Sequence, residues 1–135
     1  GELKSRIKVK KDYQKVPQIL GYPSQLNQVF MNILSNAAQA IEGEGEIEVG
    51  IHQLDKERIE ITIKDSGRGM APETAAQIFD PFFTTKSLGK GTGLGLSISY
   101  GIVQKHGGEI QVESKVGAGT TFRVILPIAG PMLSQ

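Results

Sequence analysis

Seventeen glycines punctuate this chain of 135 residues, and they are not spread evenly. They cluster at 43–45, 67–69, 89–95, 107–108 and 117–119. Glycine gathers where the backbone must take positive φ or come close to another group, so each cluster marks a loop under a local demand. A disordered glycine-rich linker would also need serine or proline density, and that is missing.

Between the clusters the apolar residues keep regular periods. Leu26, Val29, Phe30, Ile33, Leu34, Ala37, Ala38 and Ile41 recur at helical spacing, which predicts an amphipathic helix opened by Tyr22-Pro23-Ser24 and stopped by Gly43. Residues 5–13 alternate, with Ile7 and Val9 expected inward, and 17–20 suggest a short second strand. Ile47, Val49 and Ile51, then Ile59, Ile61 and Ile63, predict strands over 46–54 and 58–65 joined by a turn at Leu54-Asp55-Lys56-Glu57. A short helix is expected after Pro72, a long aperiodic loop over 80–92, and a second strong helix from about Gly93 to His106, ended by Gly107-Gly108. Strands at 109–115 and 119–127 close the chain around a Gly117-Ala118-Gly119 turn. This order predicts an α+β two-layer sandwich: a mixed, mostly antiparallel sheet covered on one face by about three helices.

The length suits one domain over 1–135, and 39% hydrophobic with 21% charged residues is ordinary globular usage. A net charge of +1 gives no argument for a nucleic-acid partner, and the basic N-terminal stretch reads as a solvated strand face. The absence of cysteine excludes disulfides and thiolate metal sites. No apolar run reaches the ~20 residues that span a bilayer. The start at Gly1, without an initiator Met, points to a piece of something larger.

Three constellations carry chemistry. Asn32 and Asn36 lie one helical turn apart on one flank of the long helix. They are either two solvated amides or, since an amide oxygen is a hard ligand, part of a Mg²⁺ site completed by phosphate and water. Asp65-Ser66-Gly67-Arg68-Gly69 ends a buried strand on a carboxylate that needs a donor, which an Asp-Gly turn or an adenine amino group could supply. Gly89-Lys90-Gly91-Thr92-Gly93-Leu94-Gly95-Leu96 precedes a helix, where free N–H groups and the helix dipole favour an anion. It is neither a Walker A loop nor a dinucleotide fingerprint. His52 and His106, the only histidines, read as structural.

The order of these motifs resembles the GHKL (Bergerat-fold) ATPase superfamily, and within it the catalytic domain of two-component sensor histidine kinases. The match runs through Asn32–Ala37, Asp65–Gly69, Phe79-Asp80-Pro81-Phe82-Phe83, Gly91–Leu96 and Gly117–Phe122. The Phe82–Lys86 run and Asn36-Ala37-Ala38-Gln39-Ala40 look most like the nitrogen-regulation and dicarboxylate-sensing branch.

The resemblance implies ATP and Mg²⁺ as cofactors. It assigns Asp65 to the adenine amino group, Thr120 to support of the base, Gly67 and Gly69 to the base pocket, Phe79 to the ATP-binding residues, and Asn36 to Mg²⁺. Asn32 falls near the phosphates, with a catalytic role. Gly91, Thr92, Gly93, Leu94, Gly95 and Leu96 offer backbone to the phosphates from a mobile lid. Hydrolytic relatives carry Glu where Asn32 stands; an amide has no useful basicity, which favours phosphoryl transfer over hydrolysis or an ATP-driven clamp. Three departures stand out: Tyr22 where Asp is usual, Gln39 where Lys or Arg is usual, and Ala40 where Tyr or His is common. Lys86 is the candidate to replace the charge absent at Gln39. Neither histidine has the context of a phosphoacceptor. The expected partners are therefore ATP, a helical dimerisation domain carrying that histidine, and indirectly a response regulator. The expected location is cytoplasmic, without membrane contact by this domain.

Overall fold

The computed structural model describes residues 6–83 and 95–131. In order these are β1 (Ile7–Tyr13), α1 (Pro23–Ala40), β2 (Gly45–Gln53), β3 (Arg58–Asp65), α2 (Pro72–Ala75), α3 (Gly95–Lys105), β4 (Glu109–Lys115) and β5 (Gly119–Pro127). The five strands form one sheet in the order β1-β2-β3-β5-β4. β1 and β2 run parallel, joined by α1 as the crossover that parallel neighbours require, and the other pairs are antiparallel. α1 packs over β3 and β5, and α3 lies beside α1.

Strand alternation creates the core. Ile59, Ile61 and Ile63 of β3 pair in register with Leu126, Val124 and Phe122 of β5, and all six are buried. Val29, Ile33 and Ala37, the centre of the predicted helical stripe, are fully buried with them, together with Val103 of α3. Each such side chain contributes about 1.5–3 kcal/mol when wholly removed from water. The other face of the sheet is polar, with exposed ion pairs such as Lys10–Glu46 at 3.3 Å and Arg123–Glu113 at 2.7 Å. A shallow depression of about 640 Å³, lined among others by Lys10, Thr62, Lys64, Thr121 and Arg123, lies on that open face.

Three expectations are corrected. Val9 is 52% exposed, not inward, because β1 is an edge strand beyond the reach of the helices, and Tyr13 is exposed for the same reason. Residues 17–20 form no strand; the Leu20 N–H donates to the Ile128 carbonyl just past the end of β5. α1 ends at Ala40 with Ile41 already extended, so Gly43, at φ +72°, turns the chain after the helix has stopped.

Neither end of α1 carries a side-chain cap of its own, although the Ile41 N–H returns to Ala38 O at 3.3 Å. Tyr22 offers no side-chain cap, the first turn has no acid and the last no base. Sequence-distant groups supply both ends. At the C-terminus, Arg6 donates to the Ala38, Ile41 and Gly43 carbonyls at 3.1, 2.7 and 3.0 Å, and Arg68 donates from its guanidinium to Gln39 O at 3.1 Å and from its N–H to Ala40 O at 3.0 Å. Two guanidinium groups there also suit the negative pole of the helix dipole. At the N-terminus, the buried His106 accepts from the Tyr22 N–H at Nε2 (3.1 Å) while Nδ1 donates to Ile102 O (2.9 Å), which fixes the neutral tautomer. His106 itself closes α3, where Gly107 at φ +78° and Gly108 return N–H bonds to Gln104 O and Val103 O in a Schellman motif.

Candidate functional site

The β3–β5 ladder explains why an aspartate is buried. One rung beyond Ile63–Phe122 on the same core-facing row stand Asp65 and Thr120, only 2% and 4% exposed. The Asp65 carboxylate accepts from the Gly67 N–H at 2.8 Å and from the Thr120 N–H. Burial pushes its pKa above the ordinary value, and these two hydrogen bonds and the Arg68 charge offset only part of that. The Thr120 hydroxyl lies 2.7 Å from Ser114 Oγ, which also accepts from the Met70 N–H at 2.8 Å. Ser114 thus stitches the loop after β3 to the start of β5. It had no distinctive signal in the sequence, because only the β4–β5 register places it opposite Thr120.

Gly67 and Gly69 permit a close approach to the chain's own backbone. A Cβ at Gly67 would stand 2.5 Å from Ala40 O, and one at Gly69, whose φ is +70°, would be driven into Lys115 O. The loop after Asp65 is thereby wedged between the end of α1 and the β4–β5 hairpin.

Along α1, residues 32, 36 and 40 line one flank at successive turns. Ala40 meets the Gly67 loop. Two turns away, about 12 Å along the axis, Asn32 donates from Nδ2 to Gly95 O at 3.0 Å and to Ser99 Oγ at 3.1 Å. Asn36 lies midway and is half-buried; no described residue hydrogen-bonds its amide. The flank therefore runs from the buried carboxylate to the first turn of α3. Among the described residues no cluster of three or more His, Cys, Asp or Glu could hold a metal. A divalent cation here would need phosphate, water and an amide oxygen, which is a donor set that Mg²⁺ accepts and that Asn36 fits.

Phe79 packs against Tyr100 of α3 and edge-on against Phe122, with centroids 5.2 and 6.3 Å away, so it joins α3 to the core beside the site. Leu96 packs on the same core. Of the expected lid, the described part is the turn at Asp80–Phe83, where the exposed Phe82 holds φ +66°. Lys86, Gly91, Thr92, Gly93 and Leu94 lie outside the described residues. His52 lies across from Glu60, 3.2 Å away on the open face, a cross-strand partner that linear spacing could not reveal.

Residues 21–130 match the family described as histidine kinase-, DNA gyrase B-, and HSP90-like ATPase. Sporulation kinase E of Bacillus subtilis is 46% identical over 113 residues, covering 84% of this chain and 15% of that protein. The sensor histidine kinase ZraS of Salmonella typhimurium is 41% identical over 85% of this chain and 24% of its own length. The signal transduction histidine-protein kinase AtoS of Escherichia coli is 48% identical over 76% of this chain and 17% of its own. The chain thus spans about a quarter or less of these three relatives. Among solved structures, the mycobacterial sensor histidine kinase MprB superposes with TM-score 0.81 at 32% identity, over 94% of this chain and 85% of that one. Full-length ShkA in complex with AMPPNP gives TM-score 0.81 at 29% identity, over 94% of this chain and 27% of that one.

Proposed function

The chain belongs to the family of histidine kinase-, DNA gyrase B-, and HSP90-like ATPases, and from that premise we propose that it binds Mg-ATP and donates the γ-phosphoryl group to a histidine on a separate helical dimerisation domain. The observation that carries this reading is the flank of α1. It joins a buried carboxylate at one end to the start of α3 at the other, with an amide between them that no described residue engages. ShkA, similar along 94% of this chain, was solved with an ATP analogue.

In this reading the Asp65 carboxylate accepts from the adenine amino group, the Ser114–Thr120 hydroxyl pair supports the base, and Gly67, Gly69 and Phe79 shape the pocket. Asn36 would hold Mg²⁺, whose chemistry is to neutralise charge on the phosphates. Gly91–Leu96, at the N-terminus of α3, would receive the phosphates. Asn32 has its amide nitrogen held by two acceptors on α3 and no basic lone pair, so it can position but not activate water, which supports transfer over hydrolysis. Lys86 would supply the charge absent at Gln39, whose side chain is turned to Ser35 Oγ at 3.2 Å.

We further infer that this domain works in the cytoplasm, and that its parent kinase, membrane-anchored or not, belongs with the nitrogen-regulation and dicarboxylate-sensing branch and passes its phosphoryl group to a response regulator. The Asn36–Ala40 and Phe82–Lys86 runs support the branch. No helix among the described residues is long and apolar enough to cross a membrane.

Calorimetric titration with ATP, with and without Mg²⁺, tests the binding. Radiolabel transfer to an added dimerisation fragment tests the reaction. Label that appears only when the fragment is present supports the proposal. Steady phosphate release by the chain alone, with no transfer, would favour a hydrolase instead.

A further inference from the structure

Ser99 is fully buried in α3, and nothing in the motifs around Asn32 points to it. Its hydroxyl donates to Gly95 O at 2.9 Å, one turn back, and accepts from Asn32 Nδ2 at 3.1 Å. Asn32 Nδ2 also donates to Gly95 O at 3.0 Å. A carbonyl oxygen can only accept, so the atom facing Gly95 must be the amide nitrogen, and the orientation of the side chain is set by chemistry. Nδ2 is thus held between two acceptors on α3. The group that Asn32 has left to offer is Oδ1, an acceptor.

We propose that Ser99 is a positioning residue that locks the Asn32 amide with its nitrogen on α3, so that α1 presents an oxygen and not a hydrogen-bond donor to the ligand. This rests on the reading above that the α3 end of the flank takes the phosphates. A phosphate oxygen gains nothing from Oδ1 directly, since both are acceptors. A hydrated divalent cation or a lysine ammonium does. Asn32 therefore faces the positive part of the bound complex, in line with Asn36 one turn away. The terminal torsion of an asparagine is broad and roughly two-fold. With the Ser99 hydroxyl removed, one amide hydrogen loses its acceptor, Gly95 O alone holds the group, and rotations that turn nitrogen toward the ligand become accessible.

The test uses the 135-residue chain as wild type, Ser99→Ala and Ser99→Thr. Threonine keeps the hydroxyl and can make the same bond to the carbonyl one turn back. In the ligand-free state, the two Asn32 Nδ2 proton resonances should both be protected from solvent exchange in wild type and Ser99→Thr. One of them should lose protection at least fivefold in Ser99→Ala, with the remaining amide spectrum unchanged. In calorimetry, the gain in ATP affinity on adding Mg²⁺ should fall about five- to tenfold in Ser99→Ala and recover in Ser99→Thr. Unchanged Asn32 protection in Ser99→Ala, or an equal loss of affinity with and without Mg²⁺, overturns the proposal. A wild-type chain that binds no ATP sinks the functional reading instead, and the exchange measurement still decides whether Ser99 holds the amide.

Discussion

Replacing Gly69 by alanine separates two reasons for a glycine in the loop after Asp65. If the glycine exists to admit a ligand, the ligand-free protein should tolerate alanine. The structure argues otherwise: at φ +70° a Cβ is driven into the Lys115 carbonyl. The left-handed conformation alone costs alanine about 1 kcal/mol. The carbonyl must also withdraw by about 1 Å or more to reach ordinary contact. That movement strains the Gly117 N–H bond to Arg68 O and the Met70 N–H bond to Ser114 Oγ, both 2.8 Å long. Each is worth about 1 kcal/mol net. Gly69→Ala should therefore destabilise the ligand-free chain by about 3 kcal/mol, which lowers the melting temperature by roughly 10 °C. Gly101→Ala is the control with opposite sign. Gly101 sits within α3 with nothing within 4 Å of an added Cβ, so alanine should stabilise by about 0.5–1 kcal/mol. Thermal and urea unfolding of the three proteins without nucleotide decide the matter. If Gly69→Ala melts with the parent and only ATP affinity falls, the backbone-contact argument is wrong.

Asp65 should give two pH dependences of opposite sign. Its folded pKa is raised, so the folded chain keeps the proton to higher pH than the unfolded chain, whose Asp titrates near 3.8. Stability of the ligand-free wild type, measured relative to Asp65→Asn, should therefore fall as pH rises from 3.8 through the raised value and level off above it. ATP affinity should rise through the same window, because the ionised carboxylate is the acceptor. At neutral pH, Asp65→Asn should remove most ATP binding, and the wild type should prefer ATP over GTP at least about tenfold by calorimetry; equal affinities would sink the adenine assignment. His106→Ala should cost about 2–4 kcal/mol in urea unfolding, since it opens a buried cavity and strips the Tyr22 N–H of its acceptor; a loss below about 1 kcal/mol would refute the cap. Lys86→Ala should weaken ATP by about 1–2 kcal/mol and ADP less, with Lys90→Ala as control; equal small effects on both nucleotides would remove Lys86 from the site.

The parts of the fold that could be read ahead were those with local periods. The α1 stripe and the β2–β3 and β4–β5 pairs stand where alternation put them, because a two- or 3.6-residue period is visible in the chain itself. What escaped depends on register and on layer coverage. Val9 has the alternation of a buried residue, but β1 lies at the edge, and nothing local says that α1 covers β3 and not β1. Gly67 and Gly69 were conspicuous, yet the carbonyls they accommodate are 27 and 46 positions away, at Ala40 and Lys115. Within the site, Asp65 stood out because a carboxylate that ends a buried strand needs a donor, and the two asparagines because helix interiors rarely favour that residue. Ser99 and Ser114 did not, since a serine gives no sign of which distant atom it serves.

The borrowed caps of α1 bear on how the chain folds. A helix with its own N-cap serine and C-cap glycine can flicker into order early, whereas α1 begins at an uncapped tyrosine and ends without a base. Apart from the local Ile41 N–H bond to Ala38 O, its terminal groups find partners at Arg6, Arg68 and His106, separated from them by as many as 84 positions. The nascent segment gains its ends only after β1, the loop after β3 and the end of α3 have assembled around it. Closing such wide loops before any reward arrives is what slows a chain of this topology. The helical signal and the sheet should then emerge in one kinetic phase, with α1's termini contributing late, on the native side of the barrier.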